Sequence, residues 1–416
     1  MKGEGQVWSG GSQTSSHLLR TQHSELSTQH SVLRTRLTEL PPLSIYIHIP
    51  WCLKKCPYCD FNSHEKRNEI PESDYVESLL RDLEYALPQI KNRPVHTIFF
   101  GGGTPSLFSV SGIEKILTRL RTCLPVVDDA EITLEANPGT FESEKFKGYR
   151  EIGINRLSIG IQSFNSEHLT VLGRVHNSTE SYRAIEIAQT YFDNFNLDLM
   201  YALPHQTLAQ AEEDINKALQ ISPPHLSAYH LTLEPNTYFY QHPPKLPNDE
   251  LAADMQLMIE QRLSENGYVH YETSAFAKSG NEAKHNLNYW QFGDYLGLGA
   301  GAHSKLSFPD RITREVRYKQ PKEYMQNAMT AVPIQEKSTV TNEALPFEFM
   351  MNALRLTAGF EIKLFQQRTG LSVNSIESVL SQAEIKGLIE RSELMIKPTL
   401  RGQRFLNDLL QLFLYE

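Results

Sequence analysis

Between residues 44 and 235 the sequence alternates short apolar runs with stretches of helical periodicity. Each run has the length and the apolar character of a buried strand, and six of them occur in succession. They cover residues 44–50, 95–103, 131–138, 156–164, 196–204 and 225–235. Strands that alternate with helices predict a parallel sheet with the helices outside it. A doubly wound open sheet and a full or partial (β/α) barrel both satisfy this alternation.

The stretches between the runs have the apolar faces of amphipathic helices. In residues 76–87 the apolar positions recur at helical spacing. They are Val76, Leu79, Leu80, Leu83 and Leu87. Further along, Ser111 and Glu114 form an S-x-x-E pattern ahead of a second apolar face, which predicts a capping box at the start of a helix.

The polar and glycine residues at the ends of the runs decide between the two architectures. Residues 101–104, Glu135, Gln162 and Asp198 each lie at or just beyond the carboxyl end of a different run, as does a cluster of cysteines. Polar residues spread around many strand ends are typical of a barrel mouth, whereas an open sheet concentrates its site at one switch point. We therefore expect an α/β fold with a partial, six-stranded (β/α)6 barrel of the TIM-barrel type.

The charge balance argues against nucleic acid as a partner. The 416 residues include 40 Lys and Arg against 49 Asp and Glu, a formal charge of −9, so no basic surplus exists to neutralise phosphates. No apolar run reaches the roughly 18–20 residues that span a bilayer, and the first residues lack a secretion signal. We expect a cytoplasmic protein. Four cysteines in a chain of this length exclude a disulfide scaffold.

Composition divides the chain into four parts. Residues 1–40 are polar and contain a near-repeat, Thr-Gln-His-Ser, without apolar periodicity, so we expect a disordered extension. Residues 41–240 contain the six runs and predict the barrel. Residues 241–340 form a connecting segment, and the helix–helix–strand–helix order of residues 341–416 predicts a winged-helix-like domain. The G-x-G-x-x-A stretch at residues 297–302 lacks the helix that follows a dinucleotide-binding loop and is interpreted as a turn.

The sharpest chemical signal is the spacing C-x3-C-x2-C, formed by Cys52, Cys56 and Cys59. Three thiolates on one short loop can bind an iron–sulfur cluster. A cubane cluster has four irons, so three cysteines leave one iron open to bind another molecule. The alternative is a zinc site, for which His48 or His64 would supply the fourth ligand.

The motifs around these cysteines resemble a known family. Residues 46–52, YIHIPWC, the cysteine triplet and the GGGTP stretch at residues 101–105 are similar to the radical S-adenosylmethionine (radical SAM) superfamily, in the coproporphyrinogen oxidase-like branch that contains HemN and HemW-like proteins. The resemblance covers residues 43–416. It implies a radical SAM core, a HemN-type C-terminal domain and a 4Fe–4S cluster on the three cysteines. It also implies S-adenosylmethionine on the open iron, chelated through its amine and carboxylate.

The resemblance also implies which residues hold S-adenosylmethionine. Gly102, Gly103 and Thr104 follow a strand, and glycines there let a ligand approach the backbone, whose N–H groups can meet a carboxylate. A carboxylate at the end of an apolar strand is costly unless it faces a polar cavity. The side chains that the resemblance places around the amino acid and ribose of the cofactor are Glu135, Gln162, Arg174 and Asp198, and Tyr46 and Tyr58 match aromatic or phenolic positions that contact the cofactor.

Two features select the branch within the family. Phe61 stands two positions after Cys59, where the coproporphyrinogen oxidases resembling HemN typically carry a fourth cysteine. Residues 285–290, HNLNYW, match the HNxxYW motif of HemW-like heme-binding proteins, in which the imidazole of His285 would be a good heme-iron ligand. The resemblance therefore implies a heme chaperone of the HemW type. The alternative is an oxygen-independent coproporphyrinogen III oxidase, a radical SAM enzyme of heme biosynthesis.

The chaperone hypothesis carries expectations about cofactors and partners. The chain would bind the 4Fe–4S cluster, S-adenosylmethionine and heme, and deliver heme to an acceptor protein of the respiratory kind. Peripheral membrane association and a homodimer are further expectations of the same resemblance. On this hypothesis no residue of the chain is assigned a catalytic role.

Overall fold

The computed structural model describes residues 34–90 and 92–414. Residues 1–33 of the predicted disordered extension lie outside the described residues, so that expectation stays a prediction for them. Residues 34–40 contain neither helix nor strand, yet they pack on the rest of the chain. The N–H of Thr35 donates to the carbonyl of Gly370 at 2.8 Å, and Leu37 is buried.

Within the described residues the chain forms seventeen β-strands and fifteen α-helices. The strands are β1 Leu43–Ile49, β2 Trp51–Cys52, β3 His64–Glu65, β4 Val95–Gly102, β5 Val126–Ala136, β6 Arg156–Gln162, β7 Phe195–Tyr201, β8 His225–His230, β9 Val269–Glu272, β10 Ala275–Ala277, β11 Asp294–Leu298, β12 His303–Ser307, β13 Ile312–Arg317, β14 Ile334–Thr339, β15 Phe360–Glu361, β16 Ile389–Arg391 and β17 Met395–Pro398. The helices are α1 Glu72–Ile90, α2 Val110–Cys123, α3 Ser143–Glu151, α4 Ser166–Val171, α5 Ser178–Tyr191, α6 Leu208–Ile221, α7 Tyr238–Gln241, α8 Asp249–Glu265, α9 Lys284–Trp290, α10 Pro321–Thr330, α11 Leu345–Ala353, α12 Ile362–Thr369, α13 Glu377–Ile385, α14 Leu400–Arg404 and α15 Leu406–Gln411.

The six predicted runs form six parallel strands, β1 and β4 to β8, which lie side by side in chain order. Helices separate consecutive strands, so the predicted α/β fold with a parallel sheet is confirmed. Both edges of this array are extended. β11 joins β1 in parallel and continues into antiparallel β12 to β14, while the β9–β10 hairpin joins β8. The stretch at residues 297–302 begins in β11 and then turns at Gly299 and Gly301, which have φ angles of +106° and +76°.

Side chains alternate between the two faces of each parallel strand, and this alternation separates the core from the site. On β1, Leu43, Ile45 and Ile47 belong to the apolar core that the helices cover. The intervening Ser44 and Tyr46 face the barrel interior, where they meet side chains from other strands. Because every parallel strand alternates in this way, the interior is lined with polar and aromatic groups.

The start of α2 differs from the sequence prediction. The N-cap is Ser109, whose backbone is extended and whose hydroxyl accepts the N–H of Gly112 at 3.0 Å. Ser111 lies inside the first turn, so the predicted Ser111–Glu114 capping box is wrong. Glu72 explains the shift in part, because its carboxylate accepts the N–H of Ser109 at 3.0 Å and holds that residue outside the helix.

The C-terminal region has an apolar core of its own around α11, α12 and α13. Antiparallel strands β15, β17 and β16 form a three-stranded sheet beside these helices, the arrangement of a winged helix. The predicted strand is β17, and the structure adds α12, β15 and β16 to the predicted helix–helix–strand–helix order. The helices of the described residues include none with the length and apolarity to span a membrane.

Candidate functional site

The three clustered cysteines lie on one loop that leaves the carboxyl end of β1. The loop is closed at its base by the short parallel pair β2 and β3, with hydrogen bonds from His64 N–H to Pro50 and from Lys66 N–H to Cys52, at 2.7 and 2.9 Å. The ammonium group of Lys55 crosses the loop and donates to the carbonyls of Phe61 and Ser63, both at 3.2 Å. All three thiols are free and half-buried.

A cation and a hydroxyl group flank two of the thiols. The Arg174 guanidinium lies 3.6 Å from Cys56 Sγ, and the Ser63 hydroxyl lies 3.7 Å from Cys59 Sγ. Burial raises the pKa of the Cys59 thiol, and the Ser63 hydroxyl acts in the opposite direction. A positive charge and hydrogen-bond donors stabilise thiolates, which are the form that binds metals.

One of the two histidines of the zinc alternative is already engaged. His48 uses both ring nitrogens, since Nδ1 lies 3.1 Å from the Tyr46 hydroxyl and Nε2 lies 2.9 Å from the carbonyl of Asn62. In the described part of the chain, no group of three His, Cys, Asp or Glu side chains could hold a single metal ion as placed. This finding covers the three thiols as well, so it does not separate a zinc site from a cluster site. His64, the other histidine of the zinc alternative, lies in β3 at the base of the loop, and its Nε2 has no hydrogen-bond partner in the described structure.

Glycines at the end of β4 form the floor beside this loop. Gly102 has a φ angle of +113°, and a Cβ atom there would lie 2.5 Å from the His48 ring. A Cβ atom on Gly103 would lie 2.6 Å from the carbonyl oxygen of Trp51. The N–H of Gly102 donates to Glu135 at 3.1 Å, and the N–H of Gly103 donates to Ile49 at 2.8 Å. Both donors are thus used within the protein, and the expected contact with a ligand carboxylate stays a prediction. The buried Thr104 in turn donates its N–H to Trp51 at 2.8 Å.

Two carboxyl groups face each other across the interior. Glu135 lies near the end of β5, where burial and then the negative charge of Asp198 raise its pKa to about 8. Asp198 lies on β7, and its two oxygens accept hydrogen bonds from Ser158 at 2.9 Å and from Asn196 at 2.8 Å. Burial raises the pKa of Asp198 as well, and these hydrogen bonds act in the opposite direction. A cationic or hydroxyl-bearing ligand placed here would relieve the cost of two crowded carboxyl groups.

Gln162 and Arg174 converge on the end of β6. The Arg174 guanidinium donates to the carbonyl of Gly160 at 2.8 Å, and a Cβ atom on Gly160 would lie 3.1 Å from Gln162 Nε2. Gln162 has a φ angle of +68°, which turns the chain out of the strand. Arg174 therefore connects the end of β6 with Cys56 in the cysteine loop.

Tyr46 and Tyr58 occupy different surroundings. Tyr46 lies inside the barrel, with its ring stacked on Phe99 at 6.1 Å between centroids. Tyr58 lies on the cysteine loop and packs against Phe239, whose N–H donates to Pro57 at 3.0 Å. Burial raises the pKa of both phenols, so they are neutral hydrogen-bonding groups.

His285 lies toward the amino end of the barrel, with its ring centroid 6.4 Å from that of Tyr46. Its Nδ1 is 2.7 Å from the hydroxyl of Thr97 near the start of β4, and its ring stacks on Phe99 at 4.9 Å. The carboxylate of Glu131 accepts the N–H groups of Lys284 and His285 at the start of α9. His285 is 2% exposed, because α9 closes this end of the barrel.

Comparison with known proteins shows the family. The radical SAM superfamily model matches residues 46–218, and the HemN C-terminal domain model matches residues 340–405. A protein of Haemophilus influenzae named "Heme chaperone HemW" is 48% identical over 91% of this chain and 100% of its own length. The chain belongs to the HemW family. Proteins with the same name from Escherichia coli and Bacillus subtilis are 47% and 37% identical, over 91% and 90% of this chain and 100% and 99% of their own lengths.

Among solved structures, the HemW-family chain is similar to the coproporphyrinogen III oxidase HemN of Escherichia coli. The TM-score is 0.76, and the match covers 90% of both chains at 23% identity. At this identity the similarity supports the fold alone. It includes both the radical SAM core and the C-terminal region.

The structure of this HemW-family chain also reveals interior residues that the sequence analysis did not single out. They are Glu131, Arg156, Asn196 and His225, all buried. A signal for them exists in the sequence, since polar residues recur at every second position of otherwise apolar strands, as in Asn196 and Asp198 of β7. Strand-end polar residues alone point only to the mouth of the barrel, whereas these lie deeper.

Proposed function

We propose that this chain is a heme chaperone of the HemW type, which binds a 4Fe–4S cluster, S-adenosylmethionine and heme and transfers heme to an acceptor protein. The observation that carries this proposal is the 47–48% identity to two proteins named heme chaperone HemW over 91% of the chain. Phe61, exposed beside Cys59, supports it against the oxidase alternative, because a fourth cysteine is expected there in HemN-like oxidases.

The cysteine loop fits a 4Fe–4S cluster. Membership of the radical SAM superfamily implies this cluster and S-adenosylmethionine. Cys52, Cys56 and Cys59 would hold the cluster, with Arg174 beside Cys56 to balance negative charge. When bound, the cluster would supply one-electron chemistry and an open iron position. The half-buried loop limits solvent access to it, which protects a cluster from loss.

The group around Glu135 fits S-adenosylmethionine. Glu135 would accept hydrogen bonds from the cofactor's ammonium group, whose positive charge would lower the raised pKa of that carboxyl. Asp198 would accept from the ribose hydroxyls, and the backbone of Gly102 and Gly103 would border the amino acid. The space of their missing side chains is taken by the His48 ring and the Trp51 carbonyl. Gln162 and Arg174 would border the same space, together with Thr104, Tyr46 and Tyr58.

The imidazole of His285 has the chemistry of a heme-iron ligand, but the side chain is buried. The Thr97 hydroxyl donates to Ser44, so His285 Nδ1–H must donate to Thr97, which leaves a lone pair on Nε2. Burial, followed by the charge of Arg156, lowers the pKa of His285 to about 3, so the ring is neutral. Nε2 is enclosed in the barrel, however, and α9 would have to withdraw before it could reach heme. Heme ligation by His285 therefore stays a prediction.

The remaining parts of the proposal rest on the family resemblance. They are a respiratory acceptor protein, a cytoplasmic location with peripheral membrane association, and a homodimer. The net charge of −9 disfavours nucleic acid as a partner.

The deciding experiment is anaerobic reconstitution of the full chain, followed by separate titrations with heme and S-adenosylmethionine. We expect optical and paramagnetic signals of a 4Fe–4S cluster, binding of both ligands, and transfer of heme to an apoprotein acceptor. Coproporphyrinogen III is then supplied with a reductant. Stoichiometric protoporphyrinogen and 5′-deoxyadenosine would establish the oxidase instead, and stoichiometric zinc without inorganic sulfide would overturn the cluster.

Two pairs of variants separate the sites. Cys56→Ser should lose the cluster signal, whereas Cys123→Ser, at the end of α2 and outside the loop, should keep it. His285→Ala should lose heme binding if Nε2 is the ligand, and His230→Ala, an exposed histidine on β8, should retain it. Heme binding by His285→Ala at the level of the unmodified chain would remove His285 from the proposed heme site and leave the chaperone proposal standing.

A further inference from the structure

A set of buried polar side chains lies between Asp198 and the amino end of the barrel. They are Asn196 on β7, His225 on β8 and Tyr271 on β9, with exposed fractions of 2%, 1% and 7%. Asn196 and His225 are register partners in the β7–β8 pair. Nothing in the proposed binding of cluster, S-adenosylmethionine or heme uses them, although burying three polar groups is costly unless each is hydrogen-bonded.

Asp198 determines the orientation of the Asn196 amide. Asn196 Nδ2 donates to Asp198 Oδ1 and to Ser158 Oγ, both at 2.8 Å. Because a carboxylate accepts hydrogen bonds, the amide must present its NH2 group to Asp198. The carbonyl oxygen of Asn196 therefore points to the opposite side, where it can only accept.

Asn196 in turn determines the tautomer of His225. His225 Nδ1 lies 2.7 Å from Asn196 Oδ1, so Nδ1 must carry the proton. Burial, followed by the positive charge of Arg156, lowers the pKa of His225 well below its ordinary value. The ring is therefore neutral, and Nε2 carries a lone pair.

Tyr271 completes the chain of hydrogen bonds. Its hydroxyl lies 2.8 Å from His225 Nε2 and must donate to it, because that nitrogen has no proton. The same oxygen accepts the N–H of Ala283, the N-cap residue of α9, at 3.2 Å. Every bond runs in one direction, from Ala283 through Tyr271, His225 and Asn196 to Asp198.

We infer that His225 is a positioning residue for Asp198, at the centre of a hydrogen-bond relay that joins the start of α9 to the carboxylate. The inference rests on the proposed function, in which Asp198 accepts from the ribose of S-adenosylmethionine. The relay holds the Asn196 amide, and through it the plane of the carboxylate, in the orientation in which each oxygen accepts one protein donor and keeps a second lone pair for a ligand. It also ties this orientation to the segment that carries the HNxxYW motif.

Removal of a single hydroxyl tests the relay. Tyr271→Phe deletes the donor to His225 and leaves the ring shape unchanged. We expect S-adenosylmethionine to bind the cluster-reconstituted chain about fivefold more weakly, the effect of one lost hydrogen bond. An analogue without the ribose 2′-hydroxyl should lose less affinity, because the relay acts through ribose recognition. Isothermal titration under anaerobic conditions measures both.

Tyr268→Phe is the matched control. Its hydroxyl is equally buried, lies in the same segment and donates to Pro223 at 2.6 Å, outside the relay. We expect its affinity to equal that of the unmodified chain. His225→Asn, which can keep a donor to Asn196, should bind S-adenosylmethionine more tightly than His225→Leu, which cannot. If Tyr271→Phe binds as Tyr268→Phe does, the positioning role is wrong.

A second readout needs no cofactor. In the full chain labelled with ¹⁵N-histidine, the nitrogen spectrum should show His225 as the neutral Nδ1–H tautomer, assigned by its absence in His225→Asn. Tyr271→Phe should shift the Nε2 resonance while Tyr268→Phe leaves it unchanged. The opposite tautomer would overturn the relay. If the tautomer is as inferred but the unmodified chain binds no S-adenosylmethionine, the proposed function fails while the relay stands. If the unmodified chain binds S-adenosylmethionine but the tautomer is the opposite one, the relay fails while the proposed function stands.

Discussion

Among single residues, Gly102 shows how little room the site leaves. Its φ angle of +113° lies in the region that favours glycine, and its missing side chain leaves space for the His48 ring. The same residue donates its N–H to Glu135, so the backbone conformation also orients that carboxyl group. One glycine therefore determines the position of a histidine, a backbone donor and an acid.

Gly102→Ala should destabilise the chain through both backbone strain and crowding against His48. Gly280→Ala is the control. Gly280 has a φ angle of +83°, but a Cβ atom there would meet no other atom within 4 Å, so this variant measures the cost of backbone strain without crowding. We expect the loss of unfolding free energy for Gly102→Ala to exceed that of the control by about 1–3 kcal/mol, a typical cost of overpacking. Urea unfolding of the cofactor-free chain measures it. Equal losses would show that His48 moves aside without cost.

Glu135 should make the stability of the cofactor-free chain depend on pH. Its pKa is about 8 in the folded chain and 4.5 ordinarily, so folding retains a proton that the unfolded chain releases. This contribution to stability is complete below about pH 4.5 and is lost as the pH rises through about 8. The Gln side chain of Glu135→Gln does not titrate. As the pH rises through that interval, the unmodified chain should therefore lose more unfolding free energy than the variant does.

Thermal unfolding between pH 5 and pH 8 tests this prediction, within the interval that the pKa of about 8 defines. The control is Glu151→Gln, an exposed glutamate at the end of α3. A pH profile of Glu135→Gln parallel to that of the unmodified chain would mean that Glu135 titrates normally.

At the scale of single elements, α2 shows that a helix start depends on the residue just before the helix. Periodicity correctly indicated an amphipathic helix, but it did not identify which serine caps it. Ser109 has extended backbone angles and accepts from Gly112, whereas Ser111 is already helical. A contact from Glu72 at the start of α1 reinforces the choice, and that contact spans thirty-seven residues of sequence.

Ser109→Ala should lower the unfolding free energy by about 1 kcal/mol, the usual cost of removing an N-cap. Ser111→Ala, two residues on, serves as the comparison. Its hydroxyl lies 3.0 Å from that of Ser109, but the N–H of Gly112 donates to Ser109, so we expect a smaller loss. Chemical denaturation of both variants provides the comparison. A larger loss for Ser111→Ala would restore the capping box predicted from the sequence.

Across the molecule as a whole, a buried ion pair joins the barrel to the strands added at its edge. Asp82 on α1 lies 3.1 Å from the guanidinium of Arg317 at the end of β13, and both side chains are fully buried. Asp82 also accepts from the Tyr324 hydroxyl at 2.9 Å and from the N–H of Gly299 at 3.2 Å. One carboxylate thus connects α1, β13, α10 and the turn after β11.

Asp82→Ala should destabilise the chain by about 3–5 kcal/mol, since it leaves the charge of Arg317 buried with less compensation. Glu84→Ala on the same helix is the control. Glu84 pairs with Arg119 at 2.8 Å, but 38% of its side chain is exposed, and exposed pairs contribute about 0–1 kcal/mol. Denaturant unfolding distinguishes the two. A loss below that of Glu84→Ala would show that the junction does not depend on this pair.

Local patterns in the chain were enough to predict the six parallel strands, the family and the cysteine loop, because strand periodicity, helix periodicity and motif spacing are properties of neighbouring residues. They also indicated which strand ends carry polar groups, since parallel strands bring their carboxyl ends to one edge. Whether these residues bind the cofactors remains a prediction.

The tertiary fold alone determines which elements pair and which distant side chains come into contact. β11 pairs with β1 across about 250 residues, as Leu43 opposite Asp294 shows, and His285 meets Thr97 at a separation of 188 residues. The tautomers of His225 and His285, and the raised pKa of Glu135, follow from such contacts. Burial and hydrogen-bond partners determine these tautomers and this pKa, and both arise only when distant segments of the chain pack together.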